Sequence, residues 1–153
     1  MGKSGGVRST AMFIGEFRHT LDDKGRVAVP AKFRADLAQG AVVTRGLDRS
    51  LFLYTAVAWE TLAQKISALP LGAADTRAFA RLMLAGAMNV DVDKSGRVTI
   101  PEYLRTYAGL QKNVVVTGMC DRMEIWDEES WKTYASKTED SSNDIAERLG
   151  SII

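Results

Sequence analysis

Two short stretches of the chain set a carboxylate and a guanidinium four residues apart around a glycine turn: Asp22-Asp23-Lys24-Gly25-Arg26 and Asp93-Lys94-Ser95-Gly96-Arg97. An Asp in such a turn can cap backbone N–H groups and orient the arginine. Arginine is the side chain suited to bidentate pairing with guanine O6 and N7, and a two-stranded ribbon fits the major groove. A solvated turn salt bridge would explain either stretch taken singly. Both groups at matching sites in two otherwise diverged stretches favour a binding role, with Lys24 or Lys94 beside the pair forming a rigid cationic tip.

The second stretch also fits a calcium loop from Asp91 to Glu102, with oxygen ligands at positions 1, 3 and 5, Gly at 6 and Glu at 12. That site needs a helix on each side, whereas these flanks are β-patterned and Pro101 stands just before the last ligand. The first stretch has Thr20 and Ala31 at the corresponding first and last ligand positions, so a charged turn is expected and no metal. Catalysis is poorly provided for. His19 is the lone histidine and Cys120 the lone cysteine, and there is no Gly-rich phosphate loop, nucleophile elbow or paired catalytic carboxylates outside these turns. The expectation is a protein that is not an enzyme and carries no cofactor. Cys120 follows the apolar stretch Val114 to Met119 and is expected to be a buried thiol.

The elements that position the tips come from a tandem duplication. Leu21 to Pro30 recurs as Val92 to Pro101 at a constant offset of 71 residues, which also matches Gly15 with Gly86 and Arg34 with Arg105. Beyond that the offset drifts slightly. Val42-Val43-Thr44 answers Val115-Val116-Thr117, Asp48-Arg49 answers Asp121-Arg122, and Trp59 answers Trp131. Each copy predicts an alternating segment (13–21; 87–92), the turn, and a short strand with Val27 and Val29, or Val98 and Ile100, on one face. A helix opened by Pro30 or Pro101 follows (31–39; 102–108), then a second hairpin (41–54; 113–126). Helical spacing over 55–68 and 73–85 is broken by Leu69-Pro70-Leu71-Gly72, and Phe79, Met83 and Leu84 read as packing residues. Asp127-Glu128-Glu129 is expected to cap a helix through Tyr134. Units of this size bury little apolar surface alone, so the copies should complete each other around a pseudo-two-fold axis.

Hydrophobic residues make up 46% and charged residues 25%, the balance of a folded chain rather than a disordered one. No apolar run reaches the roughly 20 residues that a membrane span needs. Residues 1–49 carry nine Lys or Arg against five Asp or Glu, and residues 121–153 carry four against nine, which can place a basic face opposite an acidic segment.

Taken together, Met12-Phe13-Ile14-Gly15-Glu16-Phe17, Leu21-Asp22-x-Lys24-Gly25-Arg26, Thr44-Arg45-Gly46-Leu47-Asp48 and Glu124-Ile125-Trp126 resemble the MraZ family, and the match covers nearly everything after residue 11. The resemblance implies an α+β fold: two tandem AbrB-like swapped-hairpin units forming a pseudo-two-fold β-barrel with peripheral helices. The expected division is a disordered leader over 1–11, a first AbrB-like unit with its following helix over 12–71, and a linking helix over 72–85. A second unit follows over 86–135, then a C-terminal helix or tail over 136–153.

The resemblance also implies a homo-oligomeric ring of about eight to twelve subunits. The ring would bind double-stranded DNA at direct-repeat promoter boxes upstream of the cell-division and cell-wall operon, repressing it, in the cytoplasm and at the nucleoid, with no membrane partner. The family's Asp-x-x-x-Arg falls on Asp22 and Arg26 and on Asp93 and Arg97. Residues 16–34 hold five basic and three acidic side chains against three of each in residues 87–105, so the first copy is expected to be the main reader. Lys24, Lys32 and Arg34 are its expected phosphate contacts and Arg18 a weaker one; the second copy, with Lys94 and Arg97, is expected either to contact DNA weakly or mainly to complete the barrel. A module that binds a protein partner instead remains open at this point, as does the part played by the tail.

Overall fold

The computed structural model describes residues 12–152; the expected leader lies outside the described residues. The first copy contributes strands β1 (Phe13–Thr20), β2 (Arg26–Ala28), β3 (Ala41–Arg45) and β4 (Leu51–Thr55), and the second β5 (Met88–Val90), β6 (Arg97–Thr99), β7 (Asn113–Cys120) and β8 (Met123–Asp127). Helices α1 (Ala56–Ser67) and α2 (Ala74–Ala80) lie between the copies, α3 (Glu102–Ala108) follows β6, and α4 (Glu128–Asp140) and α5 (Ser142–Leu149) follow β8.

All strand pairs are antiparallel, and they interleave the copies. One six-stranded sheet runs β1-β7-β8-β4-β3-β5, and a separate two-stranded ribbon joins β2 to β6. The exchange is reciprocal: β1 pairs with β7 while its counterpart β5 pairs with β3. At the axis the elements pair with their own counterparts. In the ribbon the register centres on Val27 opposite Val98, and between β4 and β8 on Phe52 opposite Glu124. The six-stranded sheet is open, with β1 and β5 at its edges among the described residues, so the fold is an α+β arrangement with an antiparallel sheet that does not close into a barrel.

Alternation along each short strand explains the core. Val27, Val29, Val98 and Ile100 turn inward with Phe33, Leu37, Leu104 and Ala108, against Val43, Leu51, Leu53, Val116, Met123 and Ile125 of the sheet. Both copies supply this cluster about equally, so neither buries its apolar face alone. Fully burying a Leu, Ile or Val side chain contributes about 1.5–3 kcal/mol. A second cluster of Phe52, Tyr54, Ile66 and Met83 packs with Trp59 and Leu62 of α1 on the other side of β4. Met83 and Leu84 are packing residues as the spacing predicts, whereas Phe79 lies outside both core clusters and is 38% exposed.

Five local differences from the sequence expectations have physical causes. Cys120 is exposed, not buried. Strand β7 runs past its buried stretch, leaving Met119 and Cys120 beyond the core, and Cys120 takes a left-handed φ of 70° as the chain turns. The segment after Pro30 forms two 3-10 turns, Ala31–Phe33 and Ala35–Leu37, because its N–H groups bond to carbonyls three residues back. Asp127 does not cap α4 with its side chain; the carboxylate instead accepts the Gln111 N–H at 3.0 Å, tying the end of β8 to the loop before β7. Glu128 and Glu129 still occupy the first turn, where the helix dipole favours acids. Helix α4 continues past Tyr134 to Asp140, since no breaker intervenes before Ser141 and Ser142. Between α2 and β5 the chain makes a π-helical turn (Arg81–Ala85), which occupies the positions that correspond to the start of β1 and leaves β5 only three residues long.

Candidate nucleic-acid interface

The ribbon presents its buried valines to the core and its alternate residues outward, so Arg26 and Arg97 share the outer face. Each arginine is reached from a tight turn. In the first copy the Asp22 N–H donates to the Arg26 carbonyl at 3.0 Å, the Gly25 N–H donates to the Asp22 carbonyl at 3.0 Å, and Gly25 has φ +78°. A left-handed residue closing a three-residue loop is the natural place for glycine. The second copy repeats this with Asp93, Arg97 and Gly96, the last at φ +80°.

This geometry explains the four-residue spacing. Asp22 Oδ1 accepts the backbone N–H groups of Lys24 and Arg26, both at 2.9 Å, and Oδ2 accepts Arg26 Nε at 2.7 Å. Asp93 Oδ1 accepts Ser95 and Arg97 N–H at 2.9 Å, and Oδ2 accepts Arg97 Nε at 3.2 Å. One carboxylate thereby both folds the turn and aims the guanidinium. The Arg26 backbone N–H, foremost, holds the Asp22 carboxyl below its ordinary range, and the Arg97 N–H does the same for Asp93. The copies also meet, since Arg97 Nη1 lies 3.6 Å from Asp22 Oδ2. The arginine side chains remain about a third exposed, at 27% and 33%.

The other sequence-chosen residues fall in different settings. Lys24 and Lys94 are exposed in the turns. Lys32 is exposed on the first 3-10 turn, its ammonium 5.6 Å and 5.4 Å from the Phe17 and Phe33 ring centroids. Arg18 sits between carboxylates, 3.0 Å from Glu16 and 3.5 Å from Glu128. Arg34 is partly committed to the fold: its Nε donates to the Val29 carbonyl at 3.0 Å. Its counterpart Arg105 donates Nε to the Ile100 carbonyl at 2.9 Å, and the sequence reading did not single it out although the 71-residue offset pairs it with Arg34. The stretch that mimics a calcium loop lies between strands β5 and β6, not between helices.

Tyr103 and Tyr107 on α3 were also missed. Tyr107 donates its hydroxyl to the Gly46 carbonyl at 2.7 Å, and Tyr103 donates to Gly86 at 2.8 Å. The same rings lie under Arg49 and Arg45, at 5.1 Å and 5.8 Å. Helix α3 thus holds the β3–β4 hairpin of the other copy, a role invisible without knowing which copy faces which.

Comparison with known proteins agrees with this repeat. The family model described as "MraZ protein, putative antitoxin-like" matches twice, over residues 12–82 and 83–151. A protein of Natranaerobius thermophilus is 51% identical over 138 residues, covering 90% of this chain and 96% of its own length. Proteins of Leuconostoc citreum and Ligilactobacillus salivarius are each 49% identical with the same coverage. All three are named Transcriptional regulator MraZ, a name for a regulator and not for a catalyst. No helix among the described residues is long and apolar enough to cross a membrane. With both repeats matched and nine-tenths of the chain aligned at about half identity, the chain belongs to the MraZ family.

Proposed function

We propose that this chain is a transcriptional regulator that binds double-stranded DNA through its Asp-x-x-x-Arg hairpins. The observation that carries the reading is the pair of outward arginines, Arg26 and Arg97, each held by its own turn aspartate on one face of a two-stranded ribbon. Guanine pairing needs a guanidinium fixed in a plane, and this arrangement fixes two. Lys24, Lys32 and the outer nitrogens of Arg34 supply attraction to phosphate, and Lys94 does so at the second tip.

In this reading the interleaved copies are AbrB-like swapped-hairpin units whose ribbon and sheet together wall a barrel. Several chains assemble as a ring of about eight to twelve subunits and present repeated hairpins to direct-repeat promoter boxes. Linked contacts gain roughly 10²–10⁴-fold in avidity when the geometry permits them together. A closed ring on a straight duplex requires one of the two to deform, and bending 20–30 base pairs costs about 1–6 kcal/mol. The boxes lie upstream of the cell-division and cell-wall operon, which the protein represses, and the protein resides in the cytoplasm at the nucleoid.

Fluorescence anisotropy tests the reading, with a fragment from upstream of this chain's gene, a scrambled fragment, and wild type and Arg26→Ala across a salt series. We expect tight promoter binding that weakens steeply with salt, and a loss of about 1–3 kcal/mol of discrimination in the variant. Equal binding of wild type to both fragments would overturn sequence reading. Unchanged discrimination by a folded Arg26→Ala would overturn the hairpin mechanism and favour a protein-partner module.

A further inference from the structure

We infer that Arg105 is a positioning residue for the reading turn of the first copy, and that Arg34 serves the second copy's turn in the same way. Each guanidinium clasps the turn glycine of the opposite copy. The inference rests on the DNA reading above for its function, but its geometry stands apart from it.

A Cβ placed on Gly25 would lie 2.9 Å from Arg105 Nε and 3.0 Å from its Cζ, so the guanidinium lies directly against the turn backbone. The contact is braced by hydrogen bonds. Arg105 Nε donates to the Ile100 carbonyl at 2.9 Å, and the Ile100 N–H donates to the Gly25 carbonyl at 2.7 Å. Gly25 is the neighbour of Arg26 and closes the turn onto Asp22. Helix α3, which carries Arg105, is anchored through the buried Leu104 and Ala108. The orientation of Arg26 is therefore referred, through Gly25, to a rigid helix of the other copy.

The reciprocal arrangement is present in full. Arg34 Nε donates to the Val29 carbonyl at 3.0 Å, Val29 N–H donates to the Gly96 carbonyl at 2.8 Å, and a Cβ on Gly96 would run into the Arg34 guanidinium. A clasp of this kind needs an Nε–H donor and a flat face together, which lysine lacks. A phosphate contact needs only positive charge, which lysine keeps.

Two experiments separate the roles. In the first, hydrogen–deuterium exchange of the free protein is followed over residues 22–26 and 93–97. Arg105→Lys should speed exchange in 22–26 and spare 93–97, and Arg34→Lys should do the reverse. Acceleration confined to each variant's own copy, or none in either turn, overturns the clasp.

In the second, anisotropy compares promoter and scrambled DNA across salt. Arg105→Lys and Arg105→Gln should each lose roughly tenfold in discrimination. The slope of log K against log salt should change in Arg105→Gln by less than the approximately 0.9 expected for one lost phosphate contact. A slope reduced by the full amount, about 0.9, in the Gln variant with discrimination intact, and restored in the Lys variant, would show a phosphate contact and sink the proposal. Wild type that fails to distinguish the two DNAs would defeat the DNA reading instead, while the exchange pattern still decides the clasp.

Discussion

In the first copy the turn aspartate holds its arginine at 2.7 Å and in the second at 3.2 Å, with the same backbone bonds closing both turns. Around these matched tips the two copies diverge. Lys24, Lys32 and Arg18 of the first copy fall at the places of Ser95, Tyr103 and Asn89 in the second. Tyr103 and its neighbour Tyr107 are spent on holding the β3–β4 hairpin and the backbone at Gly86. The frame of the duplication is kept, one side offering cations to solvent and the other using aromatic hydroxyls to bind the molecule together. A tandem duplication of this kind is free to divide labour in a way that two identical chains are not.

That division can be broken or sharpened by experiment. The largest effect should come from the tips: Arg26→Ala should cost more promoter discrimination than Arg97→Ala, the former about 1–3 kcal/mol. Equal losses in the two variants, read by the same anisotropy titration, would erase the proposed asymmetry. Next, Tyr107→Phe removes the hydroxyl from the Gly46 carbonyl and should destabilise the fold by about 1 kcal/mol in urea unfolding, with discrimination of DNA retained. A loss of discrimination without loss of stability would assign α3 to the interface instead.

The smallest effect is a pH dependence. His19 has its pKa lowered from 6.5, foremost by burial and then by the charge of Arg34, and its Nε2 is buried without a hydrogen-bond partner among the described residues. The unfolded chain therefore takes up the proton more readily, so the contribution of His19 is present above about pH 6.5 and is lost as the pH falls through the folded value. Asp22 and Asp93, lowered from 3.8, act in the same direction at stronger acidity. The position corresponding to His19 in the second copy is Val90. Thermal unfolding of His19→Gln should thus lack the decline that wild type shows just below pH 6.5 and keep the later one. A variant with the wild-type profile throughout would remove His19 from the account.

Much of this was readable from local sequence. The 71-residue offset, the glycines at left-handed positions, the inward valines and the helix over 56–67 follow from rules that act within a few residues. The pairing of β1 with β7 and of β3 with β5 was not readable, because either copy could have paired with itself under the same alternation. The missed site residues follow from that gap. Arg105 bonds within its own copy but presses on Gly25 of the other, and Tyr107 reaches Gly46 of the other, so neither role exists until the copies are set together. Cys120 was misread for a different reason: apolar neighbours in sequence do not reveal where a strand outruns the surface it covers.

The register of β1 has a consequence for how the chain is made. Phe13 pairs with Cys120, so β1 leaves the ribosome about 100 residues before its partner strand. At ordinary elongation rates that is a wait on the order of 10 s, during which the first repeat has no complementary half and its apolar side chains are open to chaperones and proteases. A chain cut short between the repeats would lack β7 and β8, which pair with β1 and β4, and would have to find that surface on a second copy.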